Sequence, residues 1–370
     1  MPDERIRFAH PGPRSVPESQ ALGAACQRVI DSNSYILGAE VQTFENAWAQ
    51  FVGAPASVGV ASGLDALEIG LVAVGIEPGD EVIVPAISAM ASALAVHRAG
   101  ATPVFCDIDQ DTALMNGEHA RSLVTDRTRA ILPVHLYGRA VDIPSVNAWA
   151  QALGLKVVED AAQAHGAMIR GRNVGTWGDA SGFSFYPTKN LGAAGDAGAV
   201  VSLSLETLDK ARALRNYGQV SQYEHEWLGM NSRLDEMQAA ILSVRLRDLA
   251  ANTAERQVIA GRYFADIRNE HVTPMLRPTE TASYVAHLFV VRTAQRGAFI
   301  RHMDTLGIEC LVHYPRALPD QAASKSWNVA HADTPVARSH AATCVSLPCR
   351  PGLTSREIDR VIEATNAYRP

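Results

Sequence analysis

The sequence predicts an α/β protein: a mostly parallel sheet of seven strands covered by helices on both sides, followed by a smaller α+β unit. Three observations carry that expectation. Between about residue 40 and 205, short apolar runs of strand type alternate with stretches of helical period. The strand runs are apolar on both faces, as buried parallel strands require. After Arg233 the pattern changes to one long helical stretch and then to mixed text. In chain order the elements read "SVGVASG" then "LDALEIGLVAVG", "EVIVP" then "AMASALAVHRAG", "TPVFCDID", "RAILPVHLYG" then "IPSVNAWAQALG", "KVVED", "GFSF" and "GAVVSL". Leu234, Met237, Ile241 and Val244 recur at steps of three and four and predict a helix joining the two units. Beyond about residue 255, "AHLFVVRT" and "IECLVHY" read as strands, and 296–306, 334–344 and 354–368 as helices, the last capped by Thr354 or Ser355. The division is drawn between 1–250, the larger domain, and 251–370, the smaller one.

Composition narrows the function classes. A chain of 370 residues exceeds the usual size of a single core, and 47% apolar with 19% charged residues is ordinary globular usage. The net charge of −6 comes without basic blocks, so nucleic acid is not an expected partner. Five cysteines with no CxxC pair give neither a disulfide framework nor a zinc knuckle, which fits a reducing cytoplasm. The opening "MPDERIRFAHPGPR" lacks the apolar centre of a signal peptide, and the longest apolar run, 82 to 96, is too short to span a bilayer. That run reads as a buried strand followed by a helix, and no membrane partner is expected. GxGxxG after the first strand, GxxxxGK[ST], HExxH and GxSxG are all absent, so no dinucleotide, P-loop, metal or serine-hydrolase reading holds.

Three features remain, each at a strand end, where open α/β sheets place their ligands. "VASGLDAL" (60 to 67) passes from strand to helix at Ser62, Gly63 and Leu64, presenting free N–H groups and the positive end of a helix dipole. "KVVEDAAQAHGA" (156 to 167) carries a buried strand into Glu159 and Asp160, with Gln163 and His165 following. "SFYPTKNLGAAGDAGAVV" (184 to 201) places Lys189 among aromatics, glycines and small apolar residues. Taken singly each has an ordinary reading: a capped link, an N-cap carboxylate, a solvated lysine. Together they meet one chemical demand. Pyridoxal 5'-phosphate needs an amine for a Schiff base, a carboxylate to keep its ring nitrogen protonated, and a helix N-terminus for its phosphate.

The blocks "EDAAQAHGA", "SFYPTKNLGAAGDAGAVV", "PVHLYG", "LRNYG" and "NSRLDEMQAAIL" resemble those of the DegT/DnrJ/EryC1/StrS family, sugar aminotransferases of the aspartate aminotransferase fold (fold type I). The resemblance runs from "SYILGAEVQTFE" at 34 to "SLPCRPGLTSREI" ending at 358. It implies that Lys189 forms the Schiff base and shuttles the proton between cofactor and sugar carbon. It further implies that Asp160 pairs with the ring nitrogen, that Gln163 lies against the ring or its hydroxyl, and that Ser184 with the backbone of Gly63 and Leu64 holds the phosphate. Asn231 is implied to reach the cofactor of a neighbouring subunit, making a homodimer with shared active sites. Tyr186, His313 and Tyr314 match positions that line the sugar-nucleotide cleft.

The activity so implied is transfer of an amino group from an amino acid, glutamate being the expected donor, to a keto group of a nucleotide-linked deoxysugar. The wording of the blocks resembles the branch acting at C3 of dTDP-3-keto-6-deoxyhexoses. Alternatives are a C4 sugar or cyclitol aminotransferase, and a PLP-binding regulatory or sensor protein without turnover. Related dehydratases carry histidine at the lysine position, so Lys189 argues against them. Three places depart from the family pattern: Leu64 stands for a threonine, Ser88 and Ala89 for a threonine and a ring-stacking aromatic, and "HYPRALPDQ" (313 to 321) lacks a second histidine, with Pro319 near its place.

Overall fold

Local signals set the element boundaries. In the computed structural model, which describes residues 5–327 and 333–370, Ser15 caps α1 (Val16–Ser32) by accepting from the Glu18 N–H, and Gly38 opens α2 (Ala39–Val52). Residues 1–4 of the opening stretch searched for a signal lie outside the described residues. β1 (Ala56–Val60) leads through Ser62, whose Oγ accepts from the Asp65 N–H at 3.1 Å, into α3 (Gly63–Ala73). The alternation continues with β2 (Glu81–Pro85), α4 (Met90–Arg98), β3 (Thr102–Cys106), α5 (Gly117–Ser122), β4 (Thr128–Ile131), α6 (Ile143–Ala152) and β5 (Lys156–Asp160). β6 (Ala180–Ser184), β7 (Gly198–Ser202) and α7 (Leu205–Leu214) complete it.

The seven strands form one sheet in the order β1-β7-β6-β5-β4-β2-β3. All neighbouring pairs are parallel except those of β7, which runs antiparallel to both β1 and β6. Side chains alternate between the two faces, and β7 makes this visible. Val200 packs with Val58, Val60, Ile69 and Leu208 on the α3/α7 side. Ala199 and Val201 pack with Phe44, Trp48 and Leu242 on the α2/α8 side, α8 being Glu236–Leu246. Two helical layers thus cover one sheet, and the parallel strands end together along one edge.

α9 (Leu249–Asp266) begins where the drawn division falls: Leu249 packs in the large core, Tyr263 in the smaller one. The smaller unit holds a three-stranded antiparallel sheet of β8 (Thr273–Pro274), β9 (Phe289–Arg292) and β10 (Cys344–Leu347), with α10 (Arg296–Thr305), α11 (Pro335–Thr343) and α12 (Ser355–Ala367). Thr354, not Ser355, caps α12, in a capping box with Glu357. Packing is continuous between the units, since Leu288, Leu318 and Cys344 share a cluster with Leu67, Val84 and Phe105. The N-terminal strap joins the smaller unit: Ile6 bonds to Gly307 and Glu309 and sits in that unit's core.

Two expectations change, and two helices are added. The long helix after Arg233 is two helices, because the chain breaks between Leu246 and Leu249. "IECLVHY" makes only isolated bridges, Ile6 with Ile308 and Leu311 with Ser346, so its strand-like text serves single contacts. α1 and α2 were not read, although Ser15 and Pro17 carry an ordinary start signal.

One buried cluster shapes the site edge from below. His135 and Glu159 are both fully buried, and His135 Nδ1 accepts from the Val141 N–H at 3.0 Å, so Nε2 carries the hydrogen donated to Glu159 Oε2 at 2.9 Å. Glu159 also accepts from the N–H groups of Gly175, Trp177 and Gly178, each at 2.8 Å. Burial alone would raise this carboxyl, but the His135 bond and the backbone donors outweigh it and hold it below its ordinary value. Its stabilising contribution is therefore complete above the ordinary carboxylate range and is lost as pH falls through the depressed value. Glu159→Ala leaves these donors unpaired and is expected to cost about 3 to 5 kcal/mol in urea unfolding at neutral pH, with the deficit shrinking in acid.

Candidate active site

The parallel strands deliver side chains to a common edge. β5 ends in Asp160, paired with Gly182 of β6 two residues before Ser184, and β1 ends just before Ser62. Lys189 follows β6 in a tight turn, its N–H donating to the Tyr186 carbonyl at 2.8 Å. Among the described residues Lys189 Nζ has no hydrogen-bond or ion-pair partner. Burial pulls its ammonium from 10.5 down to about 8, the Asp160 charge opposing.

Asp160 is 5% exposed. Its Oδ1 accepts from the Ala162 N–H at 3.1 Å and its Oδ2 from Ser92 Oγ at 2.7 Å. Gln163 is fixed at both ends of its amide: Oε1 accepts from the Tyr137 N–H at 2.7 Å, and Nε2 donates to Tyr314 Oη at 3.1 Å. The Tyr137 turn is possible because Tyr137 takes φ 61° and Gly138 φ 84°; a Cβ at Gly138 would lie 2.9 Å from the Gln163 carbonyl. Burial first, and the Asp160 charge second, push the Tyr314 hydroxyl up to about 12, so it stays protonated.

His313 lies across from Lys189. Its ring stacks on Phe8 at 5.5 Å, its Nδ1 meets Ser346 Oγ at 2.9 Å, and its carbonyl accepts from Tyr137 Oη at 2.5 Å. Burial, then the Lys189 charge, hold it at about 4 and hence neutral. His165, with Nε2 donating to the Ser184 carbonyl at 2.9 Å, is held at about 3 by the same two causes. A cleft opens above Lys189, lined by the strap (Phe8 to Pro11, Arg14), by Arg256 and Arg350, and by His287 and His313.

Gly63 and Leu64 are the first two residues of α3, where backbone N–H groups have no helical acceptor. A Cβ on Gly63 would lie 2.5 Å from Ser184 Cβ, so only glycine lets the turn and Ser184 share one pocket. Two expected residues stand apart in a single chain. Asn231 is exposed and its side chain bonds to no described residue, although Ser232 beside it binds Ala61 and Asp65. Tyr186 is 51% exposed. Of the departures, Ala89 is the N-cap of α4 without a side-chain bond, and Pro319 sits in a short helical turn whose Leu318 N–H bonds to Ala86 at the end of β2.

The donor set suits pyridoxal 5'-phosphate. It offers an unpartnered amine of lowered pKa, a carboxylate with lone pairs left over, and a glycine turn of free N–H groups against a serine hydroxyl. Among the described residues no cluster of three metal-binding side chains occurs and no helix is long and apolar enough to cross a membrane. The fold and this edge define a PLP-dependent aminotransferase of fold type I.

Comparison with known proteins narrows this further. The sequence model of the DegT/DnrJ/EryC1/StrS aminotransferase family matches residues 18–366, and the chain belongs to that family. It is 44% identical to the dTDP-3-amino-3,6-dideoxy-alpha-D-galactopyranose transaminase of Aneurinibacillus thermoaerophilus, over 93% of this chain and 94% of that one. It is 42% identical to the UDP-N-acetyl-3-dehydro-alpha-D-glucosamine 3-aminotransferase of Acidithiobacillus ferrooxidans, over 98% and 95%. The crystal structure of S. venezuelae DesV in complex with a ketimine intermediate matches with TM-score 0.94 at 40% identity, covering 98% of each chain. The cofactor is pyridoxal phosphate.

Ser92 and the strap were not read from the sequence, because their contacts reach the site from distant segments. Ser88 was read only as standing for a family threonine, and Tyr137 only within the block "PVHLYG", without a role. Two outcomes are expected. The amine of cofactor-free protein should capture PLP at a rate that climbs with pH and levels off above about 8; a climb continuing toward 10.5 would contradict the burial of Lys189. Gly63→Ala should weaken PLP binding about ten-fold or more, read by fluorescence titration, because the added methyl displaces Ser184.

Proposed function

We propose that this aminotransferase moves an amino group from glutamate to the C3 keto carbon of a dTDP-linked 3-keto-6-deoxyhexose. The coarser reading, an aminotransferase for nucleotide-linked keto sugars, is supported by the names of both relatives, and both names place the nitrogen at position 3. The observation that carries the reading is the unpartnered Lys189 amine facing an electropositive cleft. Arg256 bonds only to the carbonyls of Ala286, His287 and Cys349, and Arg350 only to those of Arg7 and Pro351, so neither charge is neutralised by a described carboxylate. In a chain of net charge −6, such a cleft draws in a diphosphate.

Bound PLP supplies the imine carbon and the electron-withdrawing ring. Lys189 Nζ, whose ammonium is brought down to about 8 by burial, would take the proton from the donor's Cα and in the second half-reaction deliver one to sugar C3. Asp160 would hold the positive ring nitrogen, and Gln163, fixed by Tyr137 and Tyr314, would support the ring. Gly63, Leu64 and Ser184 would hold the phosphate. Phe8 and His313, stacked on each other, close one wall against water, and Tyr186 and Tyr314 belong to the sugar side.

The same reading includes a homodimer with shared sites, a cytoplasmic location, and the two units 1–250 and 251–370. Exposed apolar residues surround Asn231. Ile36 bridges the neighbouring segment at Asp235, Tyr217 bonds to Met230, and Leu228 is fully exposed. Leu228→Asp is expected to shift the protein toward monomer in sedimentation and to weaken PLP binding at the same time, since Asn231 would no longer reach a partner's phosphate.

The deciding experiment follows the visible band of the lysine-linked cofactor. Glutamate should abolish it, and a dTDP-3-keto-6-deoxyhexose should restore it. Restoration by the 4-keto isomer alone would overturn the C3 assignment, and a band indifferent to glutamate would overturn the choice of donor.

A further inference from the structure

Asp160, at the end of β5, faces the start of α4, where Ser88 just precedes the helix and Ser92 lies in its first turn. Ser92 Oγ lies 2.7 Å from Asp160 Oδ2, and Ser88 Oγ lies 2.7 Å from Ser92 Oγ. All three side chains are buried: Ser92 is 0% exposed, Ser88 2% and Asp160 5%. A carboxylate can only accept, so the Ser92 hydrogen points at Asp160, and the hydrogen between the serines must then come from Ser88. The chain has one direction, Ser88 to Ser92 to Asp160, and each donation favours the anionic carboxylate.

We propose that Ser92, backed by Ser88, is a positioning residue that holds Asp160 as an oriented anion and so keeps the proton on the ring nitrogen of the cofactor rather than on the carboxylate. This rests on the reading that Asp160 faces that nitrogen. The physical case is a competition for one proton. In a water-poor pocket a carboxylate of few donors gains basicity, and a proton shared with a pyridine nitrogen moves toward the oxygen. A charge-assisted O–H···O⁻ bond opposes that movement, and a second hydroxyl behind it polarises the first. The Ala162 N–H occupies Oδ1 at 3.1 Å, so Oδ2 has no other protein donor within the described residues. With Ser92 gone, the carboxylate would keep one long backbone bond and the ring.

Ser92 also fixes where the carboxylate points. It stands in the first turn of α4, whose N-cap, Ala89, offers no side-chain bond of its own. The serine hydroxyls therefore tie this helix start to the end of β5.

The test uses PLP-loaded protein with ¹⁵N in the pyridine ring, compared among wild type, Ser92→Ala, Ser88→Ala and Asp160→Asn. The ring-nitrogen resonance reports protonation, which a merely structural serine would not move. In Ser92→Ala it should shift from the wild-type position toward that of Asp160→Asn, and in Ser88→Ala by a smaller step the same way. The kcat of Ser92→Ala should fall about ten-fold, the loss of one charge-assisted bond, with KM little changed. A Ser92→Ala resonance identical to wild type, with Asp160→Asn displaced, would overturn the role of the serines while leaving the Asp160 reading intact. If Asp160→Asn is also undisplaced, the carboxylate does not face the ring nitrogen, and the reading beneath the proposal fails with it.

Discussion

The parallel register of β5 on β6 is the constraint on which the rest depends. Val158 pairs with Ala180, Glu159 with Ser181 and Asp160 with Gly182. Because successive strand residues face opposite sides, this register sends two adjacent carboxylates in opposite directions. Glu159 goes to a closed pocket, where His135 and three backbone N–H groups saturate it. Asp160 goes to the α4 side, where two donors leave it room for one more. A slip of one residue would exchange them, placing Glu159 on the α4 side beside Ser92 and Asp160 in the closed pocket of His135.

From that register the charges of the site follow. A half-buried amine and a buried carboxylate share the edge, and burial disfavours further charge around them. The neighbouring histidines 165, 287 and 313 are all pulled down, by burial first and by Lys189 second, so they remain neutral. Lys189 is thus the one group of this cluster poised to exchange a proton near neutrality, which is what a single acid–base serving two half-reactions requires. Arg256 and Arg350 line the same cleft, and neither pairs with a described carboxylate.

Much of this was legible in the sequence, and the parts that were not share a reason. Repeated strand-and-helix text gave every strand of the large sheet, because each unit's period is local. The direction of β7 was not readable, since "GAVVSL" looks the same whichever way it runs. "IECLVHY" misled because β-branched, apolar text also suits a segment held by single bridges to Ile6 and Ser346. Lys189, Asp160 and the Gly63 turn were singled out because each lies at or just after a strand end, whereas Ser92 lies in a helix and reaches Asp160 across 68 residues. Nothing in "AMASALAV" distinguishes that serine from a packing residue. Likewise the strap contributes through Phe8, whose N–H donates to Glu309, 301 residues away.

The assignment of the amine is the centre of the account, and the chain makes it easy to test, since its other lysines are only Lys156, Lys210 and Lys325. The direct measurement is to load the protein with PLP, reduce with borohydride, digest, and locate the stable adduct by mass spectrometry. The account predicts the adduct on the peptide carrying Lys189 and no protein-linked visible band in Lys189→Ala. An adduct on another lysine, or a band that survives in the variant, would contradict it.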